Sequence, residues 1–304
     1  MNPALSPFLF TDIHPEKIQQ HYAEHGLIYL EDYFCDRQLA EVKEEIKTIE
    51  AQALQDLVDH WNGEKVTFFT KNPVSQMTLE KKEDFVTTDY FQKSAEASHV
   101  FFEEIQDELV INRIGHGMHL DPMNTAIHQS IYENSQLQAL LKSIGYVHPI
   151  CLLSVYIPKL SNGFGSDVRP HQESSFAHTT PLSSLVLWIA LEDATLENAC
   201  MWGLPESHRL PLKYVSKVDH VQKKRDYFQI NETKIPEFEL KAPYVPLEVK
   251  AGDALLFHGN FVHCSPQNNS LRSRKALTFQ FVETHEVKFE SFNWIRTPNS
   301  KILY

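Results

Sequence analysis

After about residue 148 this chain of 304 residues changes character, and that change limits what it can fold into. Six later stretches read as strands: 150–157, 185–191, 200–204, 247–249, 254–257 and 275–282. In the last, Ala276, Thr278, Gln280 and Val282 alternate with Leu277, Phe279 and Phe281, a period of two that sends the two sets to opposite faces. The earlier half is patterned differently. Residues 15–25 read as a helix stopped by Gly26, and 27–30 as a short strand. From Asp36 to about residue 58, Leu39, Val42, Ile46, Ile49, Ala53 and Leu57 recur at steps of three and four, one apolar stripe of a helix. A further helix is expected over 94–109, with Val100, Phe101 and Ile105 inward. Helices first and strands later predict an α+β fold with a mainly β core. That core is a double-stranded β-helix (a cupin-like jelly roll) over about 149–304, buttressed by N-terminal helices over about 1–148. No repeat, low-complexity linker or Pro/Gly/Ser-rich hinge interrupts it, so one domain over 1–304 is expected.

The chemistry is carried by four side chains within this strand-rich half. His171 and Glu173 flank Gln172; His263 follows Glu173 by 90 residues, and Arg274 follows His263 by 11. On a strand, residues i and i+2 point the same way, so His171 and Glu173 can reach one metal. His263 must arrive from a distant strand, which a closed sheet supplies. Two imidazoles and one carboxylate occupy one face of an octahedral Fe(II) and leave three positions for a bidentate co-substrate and O₂. Arg274 offers a planar fork for the distal carboxylate of a keto-acid co-substrate. A His-x-Glu triplet alone says little in a chain with 16 histidines; the order and spacing of all four carry the reading.

Other groups compete less well. His258 is a rival third ligand, but the 11-residue step to Arg274 favours His263. His116, His119 and His128, spaced by three and nine, do not share a helix face and read as polar or pocket histidines. Cys264 would point away from its neighbour His263. His208, in Pro205-Glu206-Ser207-His208, reads as a structural turn, and Lys223-Lys224-Arg225 as a solvated basic run rather than a dock for an anionic tail.

A formal net charge of −12 argues against a nucleic-acid or anionic-membrane surface and leaves a small-molecule substrate as the expected partner. No apolar run approaches the ~20 residues of a membrane span. The first ten residues show no signal-peptide pattern, and Cys35, Cys151, Cys200 and Cys264 are scattered without a C-x-x-C pair. Reduced thiols and a cytoplasmic location are therefore expected. Nothing in the chain specifies an oligomeric state.

Pro170-His171-Gln172-Glu173, the segment from Trp188 to Ala194, Pro205-Glu206-Ser207-His208, and His263 with Arg274 resemble the phytanoyl-CoA dioxygenase family of Fe(II)/2-oxoglutarate oxygenases. Asn112-Arg113-Ile114-Gly115-His116 and the segment from Trp188 to Asn198 are similar to one branch of it. The resemblance spans roughly residues 15–300 and is densest over 150–205 and 250–283. It implies His171, Glu173 and His263 as iron ligands and Arg274 as the partner of the C5 carboxylate of 2-oxoglutarate. Arg272, which a strand would place on the face of Arg274, would assist or simply shield charge. Arg113 stands near the co-substrate where the similar branch has lysine, and Trp188, Val155 and Tyr156 would wall the pocket. The implied requirements are Fe(II), 2-oxoglutarate and O₂, with ascorbate as a stimulant. The implied activity is hydroxylation of a C–H bond in a small organic substrate, with release of succinate and CO₂.

Two residues depart from the family. It usually has Asp where this chain has Glu173, and the similar branch has Lys where this chain has Arg113. The carboxylate is retained, which argues against halogenation, a chemistry that needs that ligand position vacated. Two alternatives remain: a catalytically impaired 2-oxoglutarate/metal-binding protein, for which Glu173 is the reason, and a cupin-like metal hydrolase or isomerase, against which Arg274 speaks. Substrate-contacting loops are expected over 62–95 and 213–245, without a motif that names the substrate.

Overall fold

The structure is a computed structural model that describes residues 6–12, 14–60, 85–86, 92–105, 108–121, 123–165, 167–222, 224–295 and 301–304. Its helices are α1 (Pro15–His25), α2 (Asp36–His60), α3 (Thr125–Tyr132) and α4 (Ser135–Ser143). Its strands, in chain order, are β1 (Pro7–Leu9), β2 (Leu27–Glu31), β3 (Phe85–Val86), β4 (Ser98–Ile105), β5 (Glu108–His116), β6 (Pro149–Ile157), β7 (Val168–His171), β8 (Thr179–Thr180), β9 (Leu185–Ala190), β10 (Met201–Gly203), β11 (Tyr214–Asp219), β12 (Lys224–Gln229), β13 (Val245–Leu247), β14 (Ala254–His258), β15 (His263–Ser265), β16 (Ala276–Glu283) and β17 (Lys288–Phe289).

An eight-stranded sheet runs β1-β2-β14-β9-β16-β6-β5-β4, and a four-stranded sheet runs β13-β10-β15-β7. The four central strands of the first and the four of the second form the double-stranded β-helix. Val186, Trp188, Ala190, Leu255, Phe257 and Ala276 of the large sheet share one core with Trp202, Leu247, Val262 and Cys264 of the small one. The other face of the large sheet, with Tyr156, Leu187, Ile189, Leu256, Leu277 and Phe279, packs on Ile18, Val42, Ile46, Ile127 and Leu140 of the helices. A strand covered on both sides needs apolar residues at every position, and all six residues of β9 are buried. Helix α1 starts on Pro15 and ends at Gly26, whose φ of 66° closes the last turn through its N–H to the Tyr22 carbonyl.

The structure overturns the helix expected over 94–109: the segment forms the antiparallel hairpin β4–β5. Val100, Phe101, Phe102, Val110 and Ile111 are β-branched or aromatic, and a short apolar run fits either period. The free side of β6 decides, since β5 pairs with it through Ile114, Gly115 and His116. Val100 and Phe101 are buried as expected; the side chain of Ile105 lies outside the described residues, as does that of Leu57. The expected helical buttress thus also supplies β1, β2, β4 and β5 to the main sheet. The strand expected over 247–249 begins earlier, as β13, and β11 and β12 lie where no strand was expected, whereas His171 and His263 do lie on strands, β7 and β15. Most of the proposed loop 62–95 lies outside the described residues; the other, 213–245, contains the hairpin β11–β12.

Candidate metal centre

His171 is the last residue of β7, and His263, the first of β15, is its register partner across the small sheet. Their rings lie 4.2 Å apart. Glu173 corrects one expectation: it is not on the strand with His171 but opens a 3-10 turn, Glu173–Ser175. Gln172 between them is extended (φ −120°, ψ 127°), so the alternation carries across the strand end. Glu173 Oε1 lies 3.1 Å from His171 Nε2 and 3.5 Å from His263 Nε2. Each of the three residues offers a donor atom within 4.8 Å of the others.

The surroundings orient these atoms. His171 Nδ1 sits 2.8 Å from the Arg169 carbonyl and His263 Nδ1 3.1 Å from the Phe261 carbonyl. A carbonyl only accepts, so each Nδ1 carries a proton, and each Nε2 is the ring atom turned to Glu173, the one that would bind a metal once any proton shared with the carboxylate is released. Val262 N donates to Ser207 Oγ at 2.7 Å, so the Pro205-Glu206-Ser207-His208 turn anchors the segment entering His263. Gln172 Nε2 donates to the Asn260 carbonyl, and its Oε1 accepts from Lys213 N. Gln280 Nε2, bonded to Ser184 Oγ at 3.0 Å, lies 3.5 Å from Glu173 Oε2. Burial alone would raise the Glu173 carboxyl, but hydrogen bonds and charge from His171 and His263 outweigh it and hold the group well below the carboxylate range. Burial and then the neighbouring His171 push His263 down, whereas Glu173 lifts His171 despite burial.

Arg274 precedes β16 and is 3% exposed. Its guanidinium stands 5.3 Å over the Trp188 ring, and its Nε has no hydrogen-bond partner. Burial lowers it to about 10. Trp188 and Val155 are both register partners of Thr278, on the face between the sheets. Tyr156 is not on that face. Adjacent residues of a strand point oppositely, and Tyr156 joins the helix-side core, where burial and then Glu50 raise its hydroxyl far above its ordinary range. Arg272 also departs from expectation. The segment before β16 is a loop, so strand alternation does not apply, and Arg272 is exposed and paired with Glu197 at 2.5 Å. Arg113 is half-buried on β5, two residues before Gly115, the partner of Val155, and its Nε donates to Asn112 Oδ1.

The rival groups have other uses. His258 Nδ1 accepts from Asn260 N. His116 bonds to Ser94, His119 to Ser154 and the Cys151 carbonyl, and His128 to the His119 carbonyl. Among the described residues only the His171, Glu173, His263 group is arranged for a metal. His208 Nε2 meets the Ala23 carbonyl at the end of α1, a structural role. The basic run is not all solvated, because Arg225 is buried on β12 against Trp294. Sequence reasoning missed Gln280 and Lys159. A polar residue alternating within an apolar strand was the available signal for Gln280. A lone lysine after a strand gave none for Lys159, which is buried and bonded to Ser265.

The phytanoyl-CoA dioxygenase family model matches residues 22–276. Phytanoyl-CoA dioxygenase 1 of Oryza sativa subsp. japonica is 35% identical over 262 residues, 81% of this chain and 85% of that protein. Phytanoyl-CoA dioxygenase domain-containing protein 1 of Mus musculus is 32% identical over 291 residues, 91% and 93% of the two chains. Among solved structures, EctD from S. alaskensis, crystallised with 2-oxoglutarate and 5-hydroxyectoine, superposes with a TM-score of 0.56 over 98% of this chain and 86% of its own, at 15% identity, a likeness of fold. No described helix is long and apolar enough to cross a membrane. The chain belongs to the phytanoyl-CoA dioxygenase family, and with it to the Fe(II)- and 2-oxoglutarate-dependent oxygenases.

Proposed function

We propose that this protein hydroxylates a C–H bond of a small organic molecule at an iron held by His171, Glu173 and His263. The carrying observation is the convergence of His171 Nε2, His263 Nε2 and Glu173 Oε1, with both Nδ1 atoms turned to backbone carbonyls. Two neutral imidazoles and one hard oxygen suit Fe(II) and cover one face of it. When bound, Fe(II) with 2-oxoglutarate and O₂ supplies the oxidising power, releasing succinate and CO₂; ascorbate would keep the metal reduced.

The chain's own contribution is binding and orientation. Arg274 receives the distal carboxylate of 2-oxoglutarate: its buried Nε lacks a partner, and the Trp188 ring fixes the plane of the fork. Trp188 and Val155 form a dry wall between the sheets, and Arg113 lies on the same side of β5. Gln280 keeps Glu173 Oε2 occupied, so that Oε1 faces the imidazoles. The reach of Glu173 to both histidines weighs against the catalytically impaired reading, and a buried carboxylate fork weighs against a hydrolase or isomerase. The acidic net charge supports a partner that is neither nucleic acid nor membrane, and unpaired, mostly buried cysteines support a cytoplasmic setting.

The test is metal content and co-substrate turnover. Elemental analysis should find one iron per wild-type chain and none in His171→Ala, and only wild type should form succinate from 2-oxoglutarate with Fe(II) and ascorbate. Undiminished iron in the variant would sink the assignment.

A further inference from the structure

Two buried cations lie side by side at the end of the large sheet. The β6–β16 ladder pairs Val155 with Thr278 and Ile157 with Ala276. Two residues beyond that ladder, Arg274 N donates to the Lys159 carbonyl at 3.1 Å. Their contacts turn both side chains between the sheets, Arg274 over Trp188 of the large sheet and Lys159 to Ser265 of the small one. Lys159 is 5% exposed and Arg274 3%. We propose that Lys159 is the second cation of the site for the distal carboxylate of 2-oxoglutarate, acting with Arg274; this rests on the oxygenase reading above.

Three observations agree. Lys159 Nζ donates to Ser265 Oγ at 2.8 Å, and Ser265 lies two residues after His263 on β15. The ammonium thus sits at the end of the small sheet that carries the metal ligand. Burial and then the charge of Arg274 push the Lys159 amine well below its ordinary range, against the smaller opposing effects of Asp167, which is exposed, and of Cys264 and Cys200. The buried Nε of Arg274 has no partner. A carboxylate entering here meets a planar fork on one side and a compact point charge on the other. A carboxylate is the class of anion that fits, because Ser265, which Lys159 reaches, shares β15 with His263, and a keto acid chelated at one end presents its second carboxylate at the other.

The experiment compares Mn(II)-loaded wild type, Lys159→Met and Lys159→Arg by anaerobic calorimetry with two keto acids. These are 2-oxoglutarate and 2-oxopentanoate, which has the same chain length but ends in methyl. Lys159→Met should weaken 2-oxoglutarate binding by roughly ten- to hundredfold, as removal of a charge-assisted bond does. It should leave Mn(II) and 2-oxopentanoate affinity within about twofold, and Lys159→Arg should recover part of the loss. Unchanged 2-oxoglutarate affinity in Lys159→Met would overturn the inference. So would an equal loss for both keto acids, which marks Lys159 as a strut acting through Ser265. A wild type that binds Mn(II) but no 2-oxoglutarate would instead overturn the oxygenase reading itself.

Discussion

Glu173 shows how one extra methylene is absorbed. The carboxylate leaves from the first residue of a 3-10 turn rather than from a strand, and its Oε1 still reaches both imidazoles. The backbone is thus set for the longer side chain. Glu173→Asp withdraws the oxygen by about 1.5 Å, the length of one C–C bond. Mn(II) titration should show affinity reduced by roughly tenfold or more, and tighter binding would show that Glu173 is the compromised ligand. Glu283 makes a second residue-scale case. Its carboxylate accepts the backbone N–H groups of Val147, His148, Thr284 and His285. Burial opposes ionisation, but those bonds together hold the pKa below its ordinary 4.5. A depressed carboxyl contributes stability that is present above the unfolded pKa and is lost as pH falls through the folded one. Glu283→Gln should therefore lower stability at pH 7 by on the order of 2 kcal/mol. Its deficit against wild type should begin to shrink as pH falls below the ordinary carboxylate range and disappear only below the depressed folded value, as read from thermal midpoints across pH.

Short strands carry the site, and their exactness depends on neighbours. β10 has only three residues, yet its Gly203 is the register partner of His263. A Cβ there would stand 2.5 Å from Phe261 Cζ, and the Phe261 carbonyl holds His263 Nδ1. Gly203→Ala must displace a fully buried ring and, through it, a ligand. Denaturant titration should show a loss of about 1–3 kcal/mol, as for overpacked cores, and Mn(II) affinity should fall with it. Wild-type values for both would show that Phe261 moves without its backbone. The hairpin β4–β5 teaches the same dependence: Val100 and Phe101 are inward in either reading, and the vacant side of β6 made them strand.

At the scale of the molecule, the first thirty residues close the sheet rather than decorate it. β2 pairs with Ala254 to Phe257 of β14, β1 adds to β2, and Tyr29 donates to Asp253 Oδ2 at 2.6 Å. Deleting residues 1–31 would leave β14, apolar along its length, as an unpaired edge, the arrangement that promotes strand-to-strand association. Size-exclusion chromatography should find the truncated chain aggregated; a monodisperse, folded product would show that these strands are dispensable.

Local pattern was enough for the jelly roll, for helices α1 and α2 and for naming His171, Glu173, His263 and Arg274 as the candidate centre. Strand alternation, helix stripes and the spacing of His171, Glu173, His263 and Arg274 are properties of neighbouring positions or of order along the chain. Pairing lay beyond that pattern. Which side of strand β6 faced the site decided Val155 against Tyr156, since alternation names two faces without saying which is inward. The loop before β16 sent Arg272 to solvent and Arg274 inward, although two residues separate them. Lys159 became visible only when packing buried it beside Arg274, because burial of a charge is a property of the packed neighbours and not of the residue.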